Sequence, residues 1–207
     1  MTVKVQVYSD YVCPFCFIAE VPLEQAIQGK DVEVEWMPYE LRSYPAETLR
    51  VEDEYLPRVW KDSVYPMAEH YGVNITLPHV SPQPHTHLAF EGYQFAKERG
   101  KGNEYNHRMF QAFFQEEQDI GDIDVLTKLA GEIGLDESEY REALVSQKYR
   151  DAHKKALERA AEVDITAVPT FIIGDSVLRG VRSKEALEQV IEVESRKVAK
   201  AGGSKRG

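Results

Sequence analysis

The apolar positions change period twice near the start of the chain. Val3, Val5 and Val7 alternate with Lys4 and Gln6, a period of two that predicts a strand ending near Tyr8. From Phe17 to Gln28 the apolar residues Phe17, Ile18, Val21, Leu23 and Ile27 recur at helical intervals. Gly29 is well placed to end that helix, and Pro22 should kink it. Alternation returns over residues 31–36, where Val32, Val34 and Trp36 stand against Glu33 and Glu35. Strand, helix and strand at this spacing form a βαβ unit.

The middle of the chain reads differently. From Glu52 to Asp164 no strand pattern stands out, and helical periodicity runs over 54–71, 86–99, 103–118, 125–133, 137–146 and 149–163. Three prolines within 77–84 mark a loop. Strand signals resume after Pro169, where residues 170–173 and 176–179 flank Gly174-Asp175, a two-residue hairpin turn with glycine first. Ser183 is placed to cap a last helix running to about Ala199. The expected layout is α/β: a βαβ start (1–51) and a closing hairpin and helix (165–199) around an all-helical insertion (52–164). Residues 200–207 read as an unstructured tail.

Composition narrows the options. The formal net charge is −10, and an acidic surface repels phosphate backbones, so nucleic acid is not expected as a partner. No stretch approaches the roughly 20 apolar residues that span a bilayer, and the N-terminus lacks the pattern of a signal peptide. Together these predict a cytoplasmic protein that does not associate with membranes.

The chain has only two cysteines, three apart, at Cys13 and Cys16. In a reducing compartment such a pair points to catalysis before structure. A thiol attacks a disulfide only as its thiolate, and the unpaired N–H groups of a helix N-terminus favour negative charge. Cys13 falls where the first strand yields to the first helix, and Pro14 suits that first turn because its missing N–H costs nothing there. Cys16 follows one turn on, near enough to resolve a mixed disulfide within the molecule. Cys13 is thus read as nucleophile and Cys16 as resolving thiol. Zinc would need further ligands, and the close pair His85 and His87 looks instead like the entrance to a helix, so no metal is expected.

Neighbouring residues have two readings each. Phe15 is either a core residue or an apolar patch that meets substrate beside the thiols. Asp10 either caps the turn, which is favoured, or bears on thiol ionisation. Glu20 and Glu24 share a helical face with Cys16 and are expected to face solvent, with a buried proton acceptor as the lesser reading.

Residues 9–16 (Ser-Asp-Tyr-Val-Cys-Pro-Phe-Cys) after a strand, with residues 166–173 (Thr-Ala-Val-Pro-Thr-Phe-Ile-Ile) much later, resemble the DsbA-like branch of the thioredoxin superfamily. The chain is most similar there to FrnE-like proteins, and residues 81–84 and 119–122 carry that likeness into the insertion. The resemblance implies a thioredoxin-like fold split by a helical subdomain. It also implies a cis peptide at Val168-Pro169 facing the cysteines, whose backbone pairs with an extended substrate segment. The implied activity is disulfide exchange with protein thiols and disulfides, with no bound cofactor beyond the redox-active dithiol. Glutathione is a candidate co-substrate, and glutathione or a thioredoxin-type protein a candidate recycling partner. The related 2-hydroxychromene-2-carboxylate isomerases carry serine where Cys13 stands, which leaves glutathione-dependent isomerisation of a small aromatic compound as the alternative. A polypeptide-binding module using the surface beside Phe15 is the non-enzymatic one.

Overall fold

The computed structural model describes residues 2–203, with side chains as far as Lys200. In chain order the elements are β1 (Val3–Ser9), α1 (Pro14–Ile27), β2 (Val32–Pro38) and α2 (Tyr55–Val59). A π-helical turn, Trp60–Val64, joins α2 to α3 (Tyr65–Tyr71). Then come α4 (His87–Glu98), α5 (Gly102–Phe114), α6 (Ile123–Glu132), α7 (Glu137–Val145) and α8 (Arg150–Glu162). The hairpin β3 (Thr170–Ile173) and β4 (Ser176–Arg179) and the closing helix α9 (Lys184–Gly203) complete the described chain.

The sheet has the order β2-β1-β3-β4. β1 runs parallel to β2, with Val5 opposite Val34, and antiparallel to β3, with Val7 opposite Phe171. The helical connection makes β1 and β2 parallel, and the tight turn at Gly174-Asp175 makes β3 and β4 antiparallel, with Phe171 opposite Leu178. Gly174 supplies the positive φ that the hairpin turn requires. Period-two alternation on β1 sends Val3, Val5 and Val7 into the core while Lys4 stays exposed. That core continues through Phe171 and Ile173 to Leu187 and Ile191 of α9 and to Ile18 and Leu23 of α1. A second, smaller cluster of Tyr8, Met37, Ala160 and Ile165 lies elsewhere in the core, as α8 packs on β2.

Every element from α2 to α8 is helical, and this insertion packs on α1 through aromatic rings. Phe17 of α1 stacks with Phe110 and Phe114 of α5 at ring-centroid distances of 5.6 and 5.7 Å. Tyr11 stacks on Phe90 of α4 at 4.5 Å. The large buried faces of these rings hold the insertion against the first helix, and offset ring pairs add to that.

Two features depart from the sequence reading. The continuous helix expected over 54–71 carries the π-turn, where Tyr65 N–H donates to Trp60 C=O, one residue further back than in an α-helix. Pro66 explains it: a proline offers no N–H and its ring crowds the preceding turn, so the backbone widens there. The last helix runs beyond Ala199 to Gly203, and the rest of the expected tail lies outside the described residues. The cap on that helix is as expected, with Ala186 N–H donating to Ser183 Oγ at 3.3 Å.

Candidate active site

The site begins at the β1–α1 turn. Cys13 N–H donates to Asp10 C=O at 3.0 Å, closing a tight turn that leaves Cys13 in extended conformation as the cap of α1. Pro14 occupies the first helical turn, and Cys13 C=O accepts from Cys16 N–H at 3.0 Å. The helix therefore starts at the first sulfur, with its unpaired N–H groups in the turn that follows. Both cysteines are thiols. Cys16 is buried one turn on, and burial, followed by the nearby Cys13 thiol, pushes its pKa well above the ordinary thiol value.

Cys13 is not an exposed thiol: it is 4% exposed. It is reached through a cleft of about 380 Å³ that it lines, together with Phe15 and Val168, whereas Cys16 does not line it. The Val168–Pro169 peptide is cis, and Cys13 Sγ lies 3.8 Å from Val168 C=O. The loop before β3 thus lies beside the Cys13 sulfur. Phe15 satisfies parts of both its readings, packing on the core while also lining the cleft.

The far wall of the cleft comes from residues that sequence reasoning did not single out. Trp60 and Tyr55 come from the helix interrupted by the π-turn, Gln83 and Thr86 from the proline-rich entrance to α4, and Leu41 and Arg42 from the segment after β2. Gln83 and Thr86 are buried polar residues. The available signal was the run of prolines before α4, which fixes a loop without saying what it faces.

The carboxylates behave differently from expectation. Asp10 is 1% exposed, and its Oδ2 accepts from Leu41 N–H at 2.7 Å, which ties the turn to the segment after β2. The Val12 amide and Thr86 side chain also face it, so the turn-capping role is only part of what the residue does. Burial pushes its pKa up to about 6. Oδ1 is buried without a hydrogen-bond partner. Glu20 does not face solvent: it is buried, accepting from Asn106 Nδ2 and pairing with His107 Nδ1, each at 2.8 Å, while Glu24 is exposed as expected. A parallel pair stands on the other side, where Glu40 Oε1 and His153 Nε2 lie 2.5 Å apart.

Among the described residues no group of three or more His, Cys, Asp or Glu converges so as to hold a metal, and no helix is long and apolar enough to cross a membrane. His85 and His87 instead pack with Tyr44 at the mouth of α4.

A family model for the DSBA-like thioredoxin domain matches residues 4–192. The uncharacterized protein YwbO of Bacillus subtilis (strain 168) is 57% identical over 199 residues, 95% of this chain and 100% of that protein. A probable DsbA oxidoreductase from Streptomyces coelicolor has a similar structure, with a TM-score of 0.77 and 22% identity over 93% of this chain and 89% of that one. A 2-hydroxychromene-2-carboxylate isomerase is similar with a TM-score of 0.72 and 16% identity, over 97% and 98% of the two chains. The two solved structures share the fold, and the family match extends it to sequence: the chain belongs to the DsbA-like thioredoxin-domain family.

Proposed function

We propose that the protein is a thiol–disulfide oxidoreductase that exchanges disulfides with protein substrates in the cytoplasm. The observation that carries this reading is the placement of Cys13 at the N-terminus of α1 with Cys16 buried one turn behind it and Val168 C=O 3.8 Å from the Cys13 sulfur. Cys13 thiolate attacks one sulfur of a substrate disulfide, forming a mixed disulfide and releasing the other sulfur as thiolate. Cys16, once deprotonated, attacks Cys13 Sγ, closing the internal disulfide and freeing the second substrate sulfur. Two electrons pass from the dithiol to the substrate, and the reverse sequence oxidises a substrate dithiol. The Val168 carbonyl borders the nucleophile where an extended polypeptide would align its backbone. Glutathione or a thioredoxin-type protein is the proposed source of electrons for recycling.

One observation favours a second reading. The cleft beside Cys13 is walled by the insertion and lies at the low end of the size range of small-ligand sites, which suits a glutathione-dependent isomerase acting on a small aromatic compound. Cys16→Ala separates the two. Disulfide exchange loses multiple turnover of insulin reduction without Cys16, whereas isomerisation of 2-hydroxychromene-2-carboxylate with glutathione needs only the first position. Loss of insulin turnover with no isomerase activity in either protein supports exchange. Isomerase turnover retained in Cys16→Ala overturns it.

A further inference from the structure

The cleft beside Cys13 has apolar walls and one positive charge. Phe15, Leu56, Val59 and Trp60 line it, and so do Leu41 and Tyr55, which are 46% and 50% exposed. Large apolar side chains left exposed together at a reactive opening mark a surface that meets a partner. Arg42 is the one lysine, arginine or histidine among the described residues that line this cleft. It is exposed, and no hydrogen bond or ion pair joins it to another described residue. Arg58, Arg99, Arg108 and Arg141 each have a carboxylate beside them.

The root of the Arg42 side chain is fixed although its head is free. Tyr39 N–H donates to Ser9 C=O at 2.9 Å, Glu40 Oε1 lies 2.5 Å from His153 Nε2, and Leu41 N–H donates to Asp10 Oδ2 at 2.7 Å. Three successive residues before Arg42 are thus tied to β1, to α8 and to the turn that holds Cys13. The nearby carboxylates do not answer the guanidinium. Asp10, the cleft's own, is 1% exposed, and Glu40 is engaged by His153. The charge that the cleft presents to an arriving chain is that of Arg42.

We propose that Arg42 is a specificity-determining residue, selecting protein segments in which an aspartate or glutamate neighbours the disulfide-bonded cysteine and apolar residues beyond it fill the cleft. This inference rests on the disulfide-exchange reading. With the substrate sulfur at Cys13, the side chains flanking the substrate cysteine enter the cleft that Arg42 lines. A guanidinium there takes a carboxylate through paired N–H donors, a geometry that lysine does not reproduce. The chain carries a net charge of −10 and as a whole repels an acidic substrate. At physiological ionic strength, charges beyond about 8 Å are largely screened, so the local cation decides the preference.

The test follows cleavage, by the reduced protein, of disulfide-linked dimers of three blocked pentapeptides. Each has a central cysteine and a phenylalanine at both ends, with glutamate, glutamine or lysine on either side of the cysteine. Every rate is divided by the rate for dithiothreitol, which removes the peptide's own effect on disulfide reactivity. In about 0.15 M salt the wild type should cleave the glutamate peptide about threefold to tenfold faster than the lysine peptide, with the ratio falling toward one in about 1 M salt. Arg42→Glu should invert the ratio, Arg42→Gln should lower it to one or less, and Arg42→Lys should retain part of it. A role in packing alone would slow all three peptides together and leave the ratio where it was. A wild-type ratio of one or below overturns the proposal, as does a ratio unmoved by Arg42→Glu, or by Arg42→Gln should Arg42→Glu not fold. Insulin reduction with none of the peptides cleaved overturns it as well. Cleavage of neither insulin nor any peptide overturns the functional reading instead.

Discussion

Cys13 and Cys16 are one helical turn apart, and the structure gives them different surroundings. Cys13 lines the cleft at the helix N-terminus, and Cys16 is sealed behind it with its proton held on by burial. Iodoacetamide at neutral pH should therefore modify Cys13 first, leaving Cys16 unmodified until the protein is denatured. Peptide mapping of the partly alkylated protein checks this, and early labelling of Cys16 would reverse the assigned roles. Asp10 yields a second prediction at the same scale. Its folded pKa of about 6 lies above the unfolded value near 3.8, so the folded state binds more protons in that interval. Stability from this group is present at low pH and is lost as pH rises from about 4 through 6. Asp10→Asn keeps an acceptor for Leu41 N–H without the buried charge. It should be more stable than wild type by about 3 kcal/mol at neutral pH, with the gain vanishing in acid. Urea unfolding across pH measures it, and a variant destabilised at neutral pH would contradict the burial argument.

At the scale of elements, the strands and helices were legible because each local period agreed with the fold it entered. Val3, Val5 and Val7 point into one core, and Gly174 sits where the hairpin needs positive φ. Contacts between distant elements were not legible. Glu20 reads as a solvent-facing helix residue until Asn106 and His107 of α5 are brought against it, since a lone carboxylate carries no sign of its partner. The π-turn was not legible for another reason: helical periodicity runs unbroken over 54–71 and does not show how the backbone accommodates Pro66. Where the insertion meets itself, Gly92 of α4 lets the Tyr105 and Tyr140 hydroxyls approach the helix backbone, and a Cβ there would collide with both. Gly92→Ala should destabilise the protein by about 1–3 kcal/mol despite alanine's better helix propensity. A raised thermal midpoint would contradict this packing. The Glu20–His107 pair predicts a pH effect. Glu20 raises the His107 pKa, so the stability that His107 contributes is fully present below its unfolded pKa of about 6.5 and is lost as pH rises through the higher folded value. The stability gap between wild type and His107→Gln should shrink as pH rises above about 6.5, as read by urea midpoints.

For the whole molecule, the sheet and α1 carry the thiols, the loop before β3 lies beside the Cys13 sulfur, and the helical insertion supplies the far wall of the cleft. The two cysteines could be named from the chain alone, because their chemistry is written in residue type and spacing, whereas the Val168–Pro169 loop came only from the family resemblance. The wall could not, because Trp60, Gln83 and Thr86 become site residues only when the insertion folds back over α1. The proposed exchange requires that Cys13 make a covalent bond to a protein substrate and that Cys16 release it. The most direct measurement is intact-mass analysis of Cys16→Ala after incubation with insulin. The prediction is a stable adduct of one insulin chain on Cys13, absent from Cys13→Ala and reversed by dithiothreitol. No adduct on Cys16→Ala, or an equal adduct on Cys13→Ala, would contradict it.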